Sequence, residues 1–159
     1  MSEVSDEDVA LLRLAIEESA LAAAAGDPPY GAVLASVDGH VLARGRNESI
    51  TRGDATAHAE LNALRTAERL AERTSAGLTI YASAEPCAMC TAASYYSGVE
   101  RIVFAMSGRE TRAYHGHRPM LNIAAAQLLQ YATHQNVTLA GPLLAEEARS
   151  VHQSYWPAP

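Results

Sequence analysis

The stretch at residues 83–90, SAEPCAMC, holds the only two cysteines of the chain, three positions apart and directly behind Pro86. Side chains at i and i+3 of a helix share one face, so Cys87 and Cys90 can bind a single ion. By themselves they read equally well as half of a structural zinc site or as a redox pair, while a reducing compartment disfavours a lasting disulfide. A catalytic zinc takes three protein ligands and leaves its fourth position to water, which calls for a histidine close to an acid. Among six histidines, His58 in TAHAE answers that need, because Glu60 follows two residues later where a helix begins. In mid-helix two such side chains point about 200° apart; only at a helix entrance can both reach one ion. Helix N-termini aimed at the metal favour thiolate at Cys87 and Cys90. One Zn²⁺, two thiolates and a neutral imidazole sum to zero charge, which leaves Glu60 free to take a proton from zinc-bound water.

These residues need elements to bring them together. Ser5 with Asp8 three residues on forms a capping pair ahead of VALLRLAIEESALAAAA, where Val9, Leu12 and Ile16 make one apolar stripe that ends at Gly26. GAVLASV and HVLARG flank Asp38-Gly39, a strong hairpin signal, and are expected to pair antiparallel. TAHAELNALRTAERLAER puts Leu61, Leu64 and Ala71 at helical spacing, closed by Gly77. LTIYAS reads as a strand, Pro86 as the first residue of a helix that stops at Gly98, and RIVFAM as a further strand. Residues 107–118, SGRETRAYHGHR, show no period and read as a loop, after which Pro119 opens a helix through LNIAAAQLLQY. NVTLAG is the last strand and PLLAEEARSVHQSYW the last helix. The order αββαβαβαβα predicts an α/β fold: a three-layer αβα sandwich whose five-stranded sheet is mixed, with helices on both faces.

The totals bound the function. A chain of 159 residues with 48% hydrophobic content reads as one domain, 1–159. No apolar run reaches the roughly 20 residues that span a bilayer. The acidic opening MSEVSDEDVA lacks a secretory pattern, so a cytoplasmic location is expected. A net charge of −6 counts against a nucleic-acid partner. All twelve basic residues are Arg, which excludes a lysine Schiff base.

HxE followed by PCxxC is the pattern of zinc nucleobase deaminases, in which the Glu moves protons and is not a ligand. From residue 29 to about 106 the chain resembles the cytidine-deaminase superfamily, within the branch of guanine and tRNA-adenosine deaminases, on the segments PYGAVL, GRN, DATAHAE, EPCAMC and RIVFA. Ala55 stands where that branch usually has Pro. The resemblance implies one Zn²⁺ held by His58, Cys87 and Cys90, a proton shuttle at Glu60, base hydrogen bonding by Asn47, hydrolytic release of ammonia, and a homodimer. Past the fourth strand the chain departs from the ARDxKxG-like stretch and basic terminal helix of the tRNA enzymes. It ends instead in SVHQSYWPAP, similar to guanine deaminases whose aromatic tail shields the base.

Residues 142–159 are therefore expected to form a helix and tail over the active site, of the same chain or of a partner subunit, through Tyr155 and Trp156, and residues 107–118 an active-site loop in which Glu110 reads the ring's N–H edge. Glu85 reads as a surface residue. The expected substrate is a small heterocyclic base, a free guanine-type ring before a cytosine-type base or nucleoside, and either before tRNA adenosine. A non-catalytic structural-zinc or redox domain is the alternative of another class, opposed by the unliganded acid at position 60.

Overall fold

The hydroxyl of Ser5 accepts from the Asp8 amide at 3.1 Å and the Asp8 carboxylate accepts from the Ser5 amide at 2.8 Å. This closed capping box starts helix α1 (Asp6–Ala24), as the Ser5/Asp8 spacing predicts. Leu12 and Ile16 are buried, and Gly26, at φ 89°, turns the chain out of the helix region. The computed structural model describes residues 4–69, 77–115 and 119–157. Strands β1 (Gly31–Ala35) and β2 (Val41–Arg46) pair antiparallel across the turn that contains Gly39, with a bulge between Leu34 and Ala35.

With β3 (Leu78–Ala84), β4 (Val99–Met106) and β5 (Thr138–Ala140) they form one sheet in the order β2-β1-β3-β4-β5. β1 runs antiparallel to β2 and β3, whereas β3, β4 and β5 are parallel. This is the mixed five-stranded sheet the element order predicts. Alternation along the strands divides the core. Val33, Tyr81 and Val103 face α1 and the last helix, α6 (Ala145–Tyr155), while Leu34, Ile80 and Ile102 face α2 (Ala59–Arg69). Helix α3 (Ala88–Tyr96) packs beside α2. Each such side chain, fully buried, contributes roughly 1.5–3 kcal/mol.

Asp8 also ties α1 to the sheet. Its carboxylate accepts from the Tyr81 hydroxyl at 2.8 Å and from both terminal nitrogens of Arg101. Burial opposes its ionisation, but hydrogen bonds from Arg101, the Ser5 amide and Tyr81 hold it well below the usual carboxylate range. Among the described residues no helix is long and apolar enough to cross a membrane.

Three local expectations are corrected. Residues Gly108–His115, expected as loop, form helix α4. The Ser107 hydroxyl accepts from the Glu110 amide at 3.3 Å and the Glu110 carboxylate accepts from the Ser107 amide at 3.3 Å, so S-x-x-E acts here as a capping box. The helix predicted from Pro119 is confined to α5 (Ala125–Leu129), since Ala124 keeps an extended ψ of 150° and the Gln127 side chain caps its amide at 3.0 Å. Pro86 lies ahead of α3 rather than at its first position, because Cys87 is the N-cap, with an extended ψ of 172°. The predicted continuation of α2 through Ala71, the end of the 107–118 segment with His117 and Arg118, and the last two tail residues lie outside the described residues.

Candidate active site

The C-terminal ends of β2, β3 and β4 and the start of β1 lie at one end of the sheet. Helix α2 begins there because β2 lets it come close. A Cβ on Gly45 would stand 2.2 Å from the Ala59 carbonyl oxygen and 2.5 Å from the Ala63 nitrogen. Asn62 Nδ2 donates to the Arg46 carbonyl at 2.9 Å, fastening the first turn of α2 to the end of β2. The His58 carbonyl accepts from the Asn62 amide at 2.9 Å, so His58 stands at the helix entrance with Glu60 in the first turn. Across from it, Cys87 is the N-cap of α3 and Cys90 lies three residues on, the two positions whose side chains meet in a capping box.

The three side chains converge. His58 Nδ1 lies 3.6 Å from Cys87 Sγ and 3.5 Å from Cys90 Sγ, with all ligand atoms within 4.8 Å of one another. Zinc bonds of about 2.3 Å to sulfur and about 2.0 Å to nitrogen, meeting at a tetrahedral angle, put N and S about 3.5 Å apart. The donor set therefore fits Zn²⁺, and among the described residues no fourth protein ligand joins it. A hydrogen bond from Cys90 lowers the Cys87 thiol to about 4; burial opposes this and His58 assists it. Cys90, donating to Cys87 and buried, is pushed well up. Burial, then the charge on Cys87, raise Glu60 above the ordinary carboxylate range, opposed by His58.

A cavity of about 530 Å³ opens on His58, Glu60 and Cys87. Asn47 lines it while itself buried, its Oδ1 accepting from the Ser49 amide at 2.9 Å and the Ser49 hydroxyl at 2.7 Å. Because an amide N–H can only donate, this contact fixes the amide's orientation and leaves Nδ2 as its donor. Asp27, buried, holds the following turn by accepting from the Ile50 amide at 2.8 Å, the Thr51 amide at 3.0 Å and the Thr51 hydroxyl at 2.8 Å. Pro28, Tyr30 and Met89 add apolar surface, and Glu85, Thr111, Pro119, Met120 and Leu121 form the remaining wall.

Of the residues expected to read or cover the ring, Asn47 lines the cavity, while Glu110, Tyr155 and Trp156 do not. Glu110 pairs with Arg149 of α6 at 2.5 Å and caps α4, so Thr111, not Glu110, faces the cavity from this segment. Tyr155 donates its hydroxyl to the Gly26 carbonyl at 3.2 Å. Trp156, 9% exposed, donates its indole N–H to His152 Nδ1 at 3.3 Å. The Tyr155 and Trp156 rings meet edge to face at 4.7 Å, and neither lines this cavity. The indole N–H thus has its acceptor four residues back, on α6. Glu85, expected on the surface, lines the cavity; so do Tyr30 and Thr111, which no spacing rule singles out.

Residues 5–106 match the family model of the cytidine and deoxycytidylate deaminase zinc-binding region. The chain is 32% identical over 158 residues to a probable cytosine deaminase of Schizosaccharomyces pombe, covering 98% of this chain and 96% of the relative. It is 38% identical over 110 residues to a tRNA-specific adenosine deaminase of Haemophilus influenzae, covering 69% of this chain and 64% of the relative. A solved guanine deaminase from Nitrosomonas europaea superposes with a TM-score of 0.78 at 25% identity, covering 98% of this chain and 86% of that one. A tRNA:A34 deaminase structure does so with a TM-score of 0.73 at 27% identity, covering 90% and 99%. A match over most of the chain, together with a three-ligand cluster of zinc dimensions, places the protein in the cytidine and deoxycytidylate deaminase zinc-binding family, as a zinc-dependent hydrolytic deaminase.

Proposed function

We propose that the substrate is a free guanine-type base, deaminated with release of ammonia, and that Glu60 moves the protons. The observation that carries this reading is the cavity beside the ligand cluster. Its volume of about 530 Å³ leaves room for a two-ring base, and its surface joins apolar Pro28, Tyr30 and Met89 to the Asn47 amide. When bound, zinc supplies a water acidified toward neutrality. The Glu60 carboxylate would take one proton from the attacking water and deliver it to the ring nitrogen beside the amino-bearing carbon as the water oxygen bonds to that carbon; it would then take the second proton, from the added hydroxyl, and give it to the amino group, so that the C–N bond breaks, ammonia leaves and a carbonyl remains. In the metal-free chain burial raises Glu60 above the ordinary carboxylate range, which favours its taking up a proton. Asn47 Nδ2 donates to a ring acceptor. The acidic net charge of −6 favours an uncharged small base over tRNA. Tyr96, on α3, and Tyr131, just past α5, are strongly exposed and agree with a homodimer.

A cytosine-type base is the second reading, favoured by the near full-length likeness to the probable cytosine deaminase. Ammonia release by zinc-loaded protein on guanine, cytosine and tRNA separates the readings. Guanine is expected to give the highest kcat/KM; a higher value on cytosine installs the second reading, and turnover confined to tRNA overturns both.

A further inference from the structure

Glu85 sits at the end of β3, two residues ahead of the first cysteine ligand, and its carboxylate takes hold of two other helices. Oε2 accepts from the Gly108 amide at 2.7 Å and Oε1 from the Ala125 amide at 3.0 Å. Gly108 is the first residue of α4 and Ala125 the first of α5. Amides at a helix start have no intrahelical acceptor and carry the positive end of the helix dipole, so one carboxylate satisfies two orphan donors at once. Gly108 itself points the same way. A Cβ there would lie 3.0 Å from Glu85 Oε2 and 3.1 Å from Arg112 Nη1, while its φ makes no left-handed demand for glycine. A side chain at this position would press on the Glu85 carboxylate and shift it by a few tenths of an ångström.

The two helices so held frame the outer wall of the cavity. Thr111 projects from the first turn of α4, and Pro119, Met120 and Leu121 precede α5. We propose that Glu85 is a positioning residue that fixes this wall relative to the His58, Cys87 and Cys90 cluster, and so sets the fit of the ring. Its effect on turnover rests on the base-deaminase reading; its effect on the wall does not.

The test uses zinc-loaded protein carrying Glu85→Gln and, separately, Gly108→Ala. A glutamine of the same size keeps one acceptor and turns an NH₂ toward the other amide. Protection of the Gly108 and Ala125 amides against hydrogen exchange reports the carboxylate alone, since neither has a helical partner. Protection at one of these amides or both is expected to fall about ten-fold in Glu85→Gln, with zinc content at the wild-type level. KM for guanine is expected to rise about ten-fold while kcat moves much less, and the guanine-to-cytosine kcat/KM ratio should change. Gly108→Ala should reproduce the KM effect, and decides the matter if Glu85→Gln does not fold. Unchanged amide protection overturns the proposal. So does a loss of zinc, or a fall in kcat at constant KM, because either would put Glu85 in the ligand cluster's support or in the chemistry. If wild-type protein turns over neither base, the substrate reading fails and the exchange result alone decides the role of Glu85.

Discussion

Replacing Glu60 by Gln removes one ionisable oxygen and almost nothing else. The side chain is 7% exposed, lies in the first turn of α2 and lines the cavity, while the three atoms of zinc-ligating geometry belong to His58, Cys87 and Cys90. Zinc content should therefore stay at one per chain. A positioned general acid–base contributes about 100- to 10,000-fold, so kcat should drop by that factor, about 3–5 kcal/mol in the barrier. Stability should move the other way. In protein stripped of metal by a chelator, burial and the Cys87 thiolate raise Glu60 above its ordinary value of 4.5. A raised carboxyl contributes its stability in full below the unfolded value and loses it as pH climbs through the folded one. Glutamine has nothing to lose, so the variant's advantage in urea midpoint should be near zero below 4.5 and grow toward neutral pH. Ammonia release, zinc content and urea unfolding between about pH 4 and pH 8 test the three parts. Turnover at the wild-type rate would show that another group moves the proton. Loss of zinc would make Glu60 a ligand, and a variant that weakens as pH rises would refute the electrostatic argument.

Gly45→Ala should force α2 away from β2, since its Cβ meets the Ala59 and Ala63 backbone. A stability loss of about 1–3 kcal/mol in thermal unfolding, with faster zinc loss to a chromophoric chelator, is expected because His58 stands at the start of that helix. Gly31→Ala makes the matching clash with α1, at 2.1 Å from the Ala15 carbonyl oxygen, and should lower stability without loosening zinc, as α1 carries no ligand. Glu110→Ala removes the Glu110 half of the α4 capping box and the partner of Arg149, and should cost about 1 kcal/mol in urea unfolding, with any rise in KM for guanine accompanied by that loss of stability. A raised KM at a constant midpoint would restore Glu110 as a reader of the ring.

What could be read from the sequence was what short-range rules govern. Ser5 with Asp8, the Asp38-Gly39 turn and the two strands around it each depend on neighbours within a few residues, and the sheet follows from their order. The ligand triad was legible for the same reason. Cys87 and Cys90 share one helix start and His58 another, and the fourth-position rule links the two. Helix α4 was legible in principle, through Ser107 and Glu110, but its lack of apolar period concealed it. Glu85, Tyr30 and Asp27 were not, because each acts across long sequence separations. Asp27 holds a turn 23 residues away, and Glu85 holds Ala125 from 40 residues away.

This division has a consequence for substrate choice. One side of the cavity, with His58, Glu60, Cys87 and Asn47, grows from strand ends and helix starts locked into the core, where Gly45 and Asn62 leave α2 no freedom to shift. The other side, with Thr111 and residues 119–121, is borne by a helix of eight residues and another of five, both with their first amide on Glu85. Substitutions on that second side can change which ring fits without moving a metal ligand, whereas substitutions on the first disturb the chemistry for every ring. A family whose relatives act on cytosine, guanine and tRNA adenosine is what such a division permits. Exchanging residues 107–121 with the corresponding wall of a relative should therefore alter ring preference while leaving zinc stoichiometry at one.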